Sequence, residues 1–413
     1  MMLRQFFGWS RVTSLMCAVG IGVGAWLSAS AAAQEIPITL EKQVKEADPV
    51  VSVRSVGEDK ELAESLRRVL AFSGWFQLQT AVGGEADYSI EAERNSAQEG
   101  ELLLKVRSKN GGFRVRTRGG KGIDMLCRAA VDSLILEVFN RPGPCLSLIA
   151  FVNGERRKEI SLIHPDGRGA RTLTQNGTIS TEPNWGGTAG QLVYTLYRNH
   201  RSETILIDIL ADRQRRIARQ SGLNAGAALA PDGKRVAVCL SEGNQVDLYL
   251  RRVGERKLQR LTSDGAVEAS PGWSPDGRSL CYVSDRSGVP QIYLMDRDGG
   301  NRRRLLKQSA ESVSPDWSPD GRKIVFALRK DGRYRLGYLD LSENNAEPVV
   351  FTDSSSDWES PSWAPDSRHV VCTRSNGSQR SIVMVDTRDG SVQPLTRRGN
   401  YALPDWSDPL PLR

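Results

Sequence analysis

The sequence predicts an all-β six-bladed β-propeller with a smaller N-terminal α/β domain, and three observations predict it. The first is a recurring turn. Trp273-Ser274-Pro275-Asp276-Gly277-Arg278 returns as Trp317-Ser318-Pro319-Asp320-Gly321-Arg322 and as Trp363-Ala364-Pro365-Asp366-Ser367-Arg368. Leu229-Ala230-Pro231-Asp232-Gly233-Lys234 is a copy without the Trp, and Trp185 and Trp406 mark weaker copies. These anchors lie 44, 44, 44, 46 and 43 residues apart. The second is an independent end marker: Leu173-Thr174, Ile217, Leu261-Thr262, Leu305, Phe351-Thr352 and Leu395-Thr396, spaced 44, 44, 44, 46 and 44. A period of about 40–45 residues with four strands per unit is the signature of a propeller, and six of each marker give six blades. The third is phase: the first end marker precedes the first anchor, and Trp406 has no marker after it.

Each unit reads as an aromatic anchor, a turn and a strand. Pro-Asp-Gly combines a fixed φ, a carboxylate that bonds within its own turn, and a residue free to take φ > 0. The run Ile324-Val325-Phe326-Ala327 that follows suits a strand covered on both faces. The phase implies that the ring closes by mixing ends. Residues around Leu403–Ser407 then supply the inner strand of a blade whose other three strands lie near 146–175, which removes free sheet edges.

Before the repeats, residues 1–33 read as a secretory leader: Arg4 and Arg11, an apolar run from Leu15 to Leu27, then Ala31-Ala32-Ala33. The expected product is an exported, periplasmic protein without a membrane span. Residues 34–144 form the predicted α/β domain, and 145–413 the propeller. Val50–Val53 reads as a strand, and Asp59 as the cap of a helix with Leu62, Leu66, Val69 and Leu70 on one face and Gly74 as its stop. Strands follow near 88–90, 102–106 and 113–115. Gly119-Gly120-Lys121-Gly122 lacks the spacing of a phosphate loop and reads as a turn. A second helix runs from about Ile123 to Phe139, with Ile123, Ala130, Leu134 and Val138 facing inward.

The formal charge of +7 falls to +5 without Arg4 and Arg11. Its basic clusters, at 213–216 and 302–304, read as solvated blade edges more than as a nucleic-acid stripe. Cys239, Cys281 and Cys372 hold equivalent positions in three blades and read as small buried hydrophobes; Cys127 and Cys145 could pair in an oxidising compartment. No Gly-x-Ser-x-Gly elbow occurs, and His164, His200 and His369 share no ligand spacing, so they read as turn and surface residues. Asp232, Asp276, Asp320 and Asp366 suggest a carboxylate ring, but their turns can satisfy them locally. The tryptophans read as packing between blades. No catalytic residue, metal or cofactor is expected. Function then falls to the channel mouth, where Glu182, Ser270, Ser314 and Ser360 should stand on inner strands near the entrance and contact a partner.

The segments Ser270–Gly277, Tyr282–Gly288 and Gln291–Asp296 are similar to the hallmark blades of the TolB family, the periplasmic propellers of the Tol–Pal system. Leu66-Arg67-Arg68-Val69-Leu70, Ser73-Gly74-Trp75-Phe76 and the second helix leading into Ser147–Val152 resemble that family's N-terminal domain. Two stretches depart from it: Cys127-Arg128 replaces an Ala-His pair, and 34–49 differs from the family's partner-signalling peptide. The resemblance implies a non-enzymatic scaffold that binds a peptidoglycan-associated lipoprotein (Pal) and communicates with a TolA-like inner-membrane protein. Its role would be in outer-membrane integrity and envelope invagination at division. The alternative is a secreted propeller enzyme or carbohydrate-binding protein.

Overall fold

The computed structural model describes residues 47–411, apart from 56–58, 80–84, 96–99, 121, 244, 308–309 and 344–345. The predicted leader and residues 34–46 lie outside the described residues. Two compact units are present. One comprises Ile149–Leu162 and Arg171–Ser407; the other contains the chain up to Leu148, Ile163–Ala170 and the tail from Asp408.

The smaller unit is a five-stranded sheet with two helices. Its strands β1 (Val50–Ser55), β2 (Gln77–Leu78), β3 (Tyr88–Arg94), β4 (Glu101–Ser108) and β5 (Gly111–Arg118) are ordered β2-β1-β3-β4-β5. Helix α1 (Lys60–Ser73) starts where the Asp59 carboxylate accepts from Leu62 N at 3.0 Å and stops at Gly74, φ 69°. Leu62, Leu66, Val69 and Leu70 are all buried on its inner face, as the spacing predicts. In helix α2 (Ile123–Phe139) the buried face differs from the predicted one. Ala130 and Leu134 are buried, Ile123 and Val138 only half so, and Leu126, Cys127, Val131 and Ile135 complete the face. Trp75 and Phe76 pack on Phe139, with centroids 4.6 and 5.4 Å away, so the Gly74 stop delivers two aromatics to the end of the second helix. Cys127 and Cys145 are buried free thiols, not a disulfide. Among the described residues, no helix is long and apolar enough to cross a membrane.

The larger unit is a six-bladed β-propeller of four-stranded antiparallel sheets. Blades 1 to 5 begin at inner strands Ile179–Trp185, Asn224–Leu229, Glu268–Trp273, Ser312–Trp317 and Asp357–Trp363. Blade 6 takes its inner strand, Tyr401–Trp406, from the end of the repeats and its other three from Ile149–Asn153, Glu159–Ile163 and Arg171–Thr172, as the phase of the markers requires. Each inner strand packs on the next, and the sixth packs on the first.

The two sequence markers have structural causes. Asp232, Asp276, Asp320 and Asp366 each accept, through Oδ1, from the backbone N two residues on (2.9 to 3.1 Å), so they hold turns and form no carboxylate ring. The threonines of the end marker are latches: Thr174, Thr262, Thr352 and Thr396 Oγ1 accept at 2.9 Å from Ile160, Leu248, Leu336 and Ile382 N. Each draws the chain leaving a blade back onto that blade's third strand. The anchor indoles also join blades. Trp273 Nε1 donates to Ala228 O at 3.1 Å and Trp185 Nε1 to Asp405 O at 3.0 Å, each in the preceding blade. Trp317 differs, donating to Gly321 O of its own turn.

Candidate functional site

Every inner strand is interrupted at the same place. The pairing register shifts at 182–183, 226–227, 270–271, 314–315, 360–361 and 403–404. Such a β-bulge leaves two residues out of the ladder and re-aims their side chains. The first is left-handed in all six blades: Glu182 (φ 54°), Gly226 (55°), Ser270 (48°), Ser314 (52°), Ser360 (52°) and Leu403 (53°). The second is Pro in five of them, a residue with no N–H to lose from the ladder. Blade 2 instead has Gly226-Ala227, where glycine takes the left-handed conformation without a Cβ clash. Five non-glycine residues thus hold a conformation that disfavours L side chains.

The six bulges converge on one cavity of about 120 Å³ on the axis of the ring. Glu182, Ser270, Ser314 and Ser360 all line it, together with Gly226 and Leu403, which hold the same position and were omitted from the sequence-predicted set. The Glu182 carboxylate is fixed across the gap between blades: Oε2 accepts from Gly226 N at 2.9 Å and from Thr195 Oγ1 at 2.8 Å. Burial pushes its pKa up, against these two donors.

A second ring lies one residue before each anchor, and sequence reasoning missed it. There Asn184 Oδ1 accepts from Leu229 N (3.2 Å), Asp316 Oδ2 from Trp363 N (2.7 Å), Ser362 Oγ from Trp406 N (3.1 Å) and Asp405 Oδ2 from Trp185 N (2.5 Å). In each case the side chain of one blade holds the anchor of the next. Ala228 and Gly272 occupy the position in blades 2 and 3 and cannot do so. Asp316 and Asp405 both reach the Ser362 hydroxyl between them. Burial pushes Asp316 up to about 6, and burial together with the Asp316 charge holds Asp405 well above the ordinary carboxylate range. The axial cavity is therefore lined by buried carboxyls that already accept hydrogen bonds from neighbouring blades and that burial pushes toward the protonated form.

These carboxyls set a pH dependence. An acid whose folded pKa exceeds its unfolded one stabilises the fold fully below the unfolded value, and that contribution is lost as pH rises through the folded value. For Asp316 the window runs from 3.8 to about 6. Asp316→Asn keeps an acceptor for Trp363 N but cannot titrate. Relative to this variant, the wild-type melting temperature is expected to fall between pH 4 and 6; a pH-independent difference would contradict the assignment.

His369 also departs from expectation. It is 1% exposed, and Nδ1 lies 2.6 Å from Asp366 Oδ2. Beside it, buried Arg368 reaches Asp386 Oδ2 through Nε (3.0 Å) and Nη2 (2.7 Å). The group sits in the turn of blade 5, away from the mouth, and satisfies its own charges. Among the described residues, no group of three or more His, Cys, Asp or Glu could hold a metal ion.

A family model described as the TolB beta propeller domain matches residues 141–410. The Tol-Pal system protein TolB of Anaeromyxobacter dehalogenans (strain 2CP-C) is 32% identical over 181 residues, covering 43% of this chain and 38% of that protein. The Tol-Pal system protein TolB of Francisella tularensis subsp. tularensis (strain WY96-3418) is 28% identical over 92 residues, 22% of this chain and 21% of that one. The matched stretches thus span less than two fifths of either relative's length. The crystal structure of TolB from Acinetobacter baumannii has the same fold, with a TM-score of 0.79 at 20% identity over 88% of this chain and 98% of that one.

Proposed function

Because the chain belongs to the TolB β-propeller family, we propose that it is a non-enzymatic periplasmic scaffold of the Tol–Pal type. Its propeller mouth binds a peptidoglycan-associated lipoprotein, and through that contact it supports outer-membrane integrity and envelope invagination during division. A TolA-like inner-membrane protein is the second partner, engaged by the part of the chain before the propeller. The observation that carries this reading is the ring of six left-handed bulges, which turns Glu182, Ser270, Ser314 and Ser360 onto one axial cavity. Groups fixed by backbone geometry and by hydrogen bonds such as Gly226 N to Glu182 need no ordering when a partner arrives, and that favours affinity.

The test uses purified mature protein and the lipoprotein of the same organism. Binding is expected, and Glu182→Arg, which reverses the charge at the mouth, should weaken it at least tenfold. Binding that survives Glu182→Arg and a bulky Ser314→Trp would keep the partner and overturn the mouth as its interface. No binding by the wild type would overturn the function itself.

A further inference from the structure

On one end face of the propeller, blades 2 and 3 enclose a groove of about 470 Å³. Three turns build it. The Asp232–Arg235 turn forms one wall, Arg297-Asp298 of blade 3 another, and the hairpin Arg252–Lys257 the third, over a floor of Leu250 and Gln259. The hairpin is held by Glu255 N donating to Arg252 O (3.1 Å) and Arg251 Nε to Glu255 O (2.7 Å), so Arg252 and Lys257 are fixed on the groove wall.

The charges of the groove are not balanced. Arg235 is matched: Asp232 Oδ2 accepts from its Nε and Nη2 at 3.1 and 2.9 Å, and its guanidinium lies 5.4 Å over the Trp273 ring. Asp298 Oδ1 already accepts from Gly300 N at 3.1 Å. Lys234, Arg252, Lys257 and Arg297 line the groove as exposed cations, and none forms an ion pair among the described residues. Glu255 and Asp298 are the other carboxylates of the lining, so five cations face three acids. Other arginines of the propeller are paired with buried carboxylates, as with Arg260 on Asp247 (2.6 Å) and Arg286 on Glu268 (3.1 Å).

We propose that this groove is a binding site for a phosphate-bearing ligand the size of a sugar phosphate or lipid headgroup. The volume falls within the ordinary range of small-molecule sites, but the lining is ionic, which selects a strongly charged, partly hydrated ligand over an apolar one. Two arginine forks and two lysine point charges suit phosphate oxygens. The ligand could be free in solution or displayed on a membrane surface, and the chemistry at the groove is the same for both.

The test titrates the full chain with pyrophosphate and, separately, floats it with vesicles of phosphatidylglycerol or of phosphatidylcholine. Lys257→Glu with Arg297→Glu reverses two exposed charges on the groove, and Arg171→Glu is the distant control. Pyrophosphate binding that weakens at least tenfold in the double variant and not in the control supports a soluble ligand. Selective flotation with phosphatidylglycerol, lost in the same variant, supports a headgroup. Binding to neither, or equal weakening by Arg171→Glu, overturns the proposal, since net charge would then explain the effect.

Discussion

Deleting the chain from Tyr401 onward is expected to abolish cooperative unfolding of the propeller. The deletion removes the inner strand of blade 6, whose Tyr401, Ala402, Asp405 and Trp406 pair with Asn153, Val152, Ala150 and Ile149. It also removes the two bonds from Trp185 to Asp405 that join blade 6 to blade 1. Losing a buried Trp costs roughly 3–5 kcal/mol and each stranded buried polar group roughly 1–3 kcal/mol. The sum is on the order of 10 kcal/mol, comparable with the whole stability of a typical domain. Urea titration followed by circular dichroism should show a broad, shallow transition. Supplying residues 401–411 as a peptide should restore part of the cooperativity. A deletion variant that melts as sharply as the full chain would contradict the closure.

Asp386→Ala is expected to be the most damaging single substitution outside the inner strands. It removes the carboxylate oxygen that accepts from both Nε and Nη2 of Arg368, whose side chain is 5% exposed. Breaking a buried pair from one side costs about 3–5 kcal/mol, whereas replacing both members by apolar residues is often neutral. Melting should therefore drop by on the order of 10 °C in Asp386→Ala. The double variant Arg368→Met with Asp386→Leu should recover most of that loss. Equal damage in both variants would show that the backbone of the turn, and not the broken ion pair, carries the effect.

Blade number, closure and the capped first helix were legible in the sequence because each rests on local chemistry that repeats. Pro two residues before the anchor could be read as a marker, but not as the second residue of a bulge, since that requires knowing which strand faces it. Glu182, Ser270, Ser314 and Ser360 could be picked out from their place before the anchors, and they line the axial cavity. Gly226 and Leu403 were not, because a polar residue was the signal sought and the position is defined by φ. The ring of Asn184, Asp316, Ser362 and Asp405 was hidden for another reason: each acts on a different blade, and Ala228 and Gly272 break the pattern. His369 looked like a surface residue because nothing in its turn announces that Asp386, seventeen positions on, comes back beside it.

The closing contact between Trp185 and Asp405 spans 220 residues, and that separation has a consequence in time. For an exported chain this means that the strands between 149 and 172 emerge before the inner strand Tyr401–Trp406 that completes their sheet. Until that last strand arrives their inner edge can pair with nothing of its own, and a chaperone that covers open strand edges would act then.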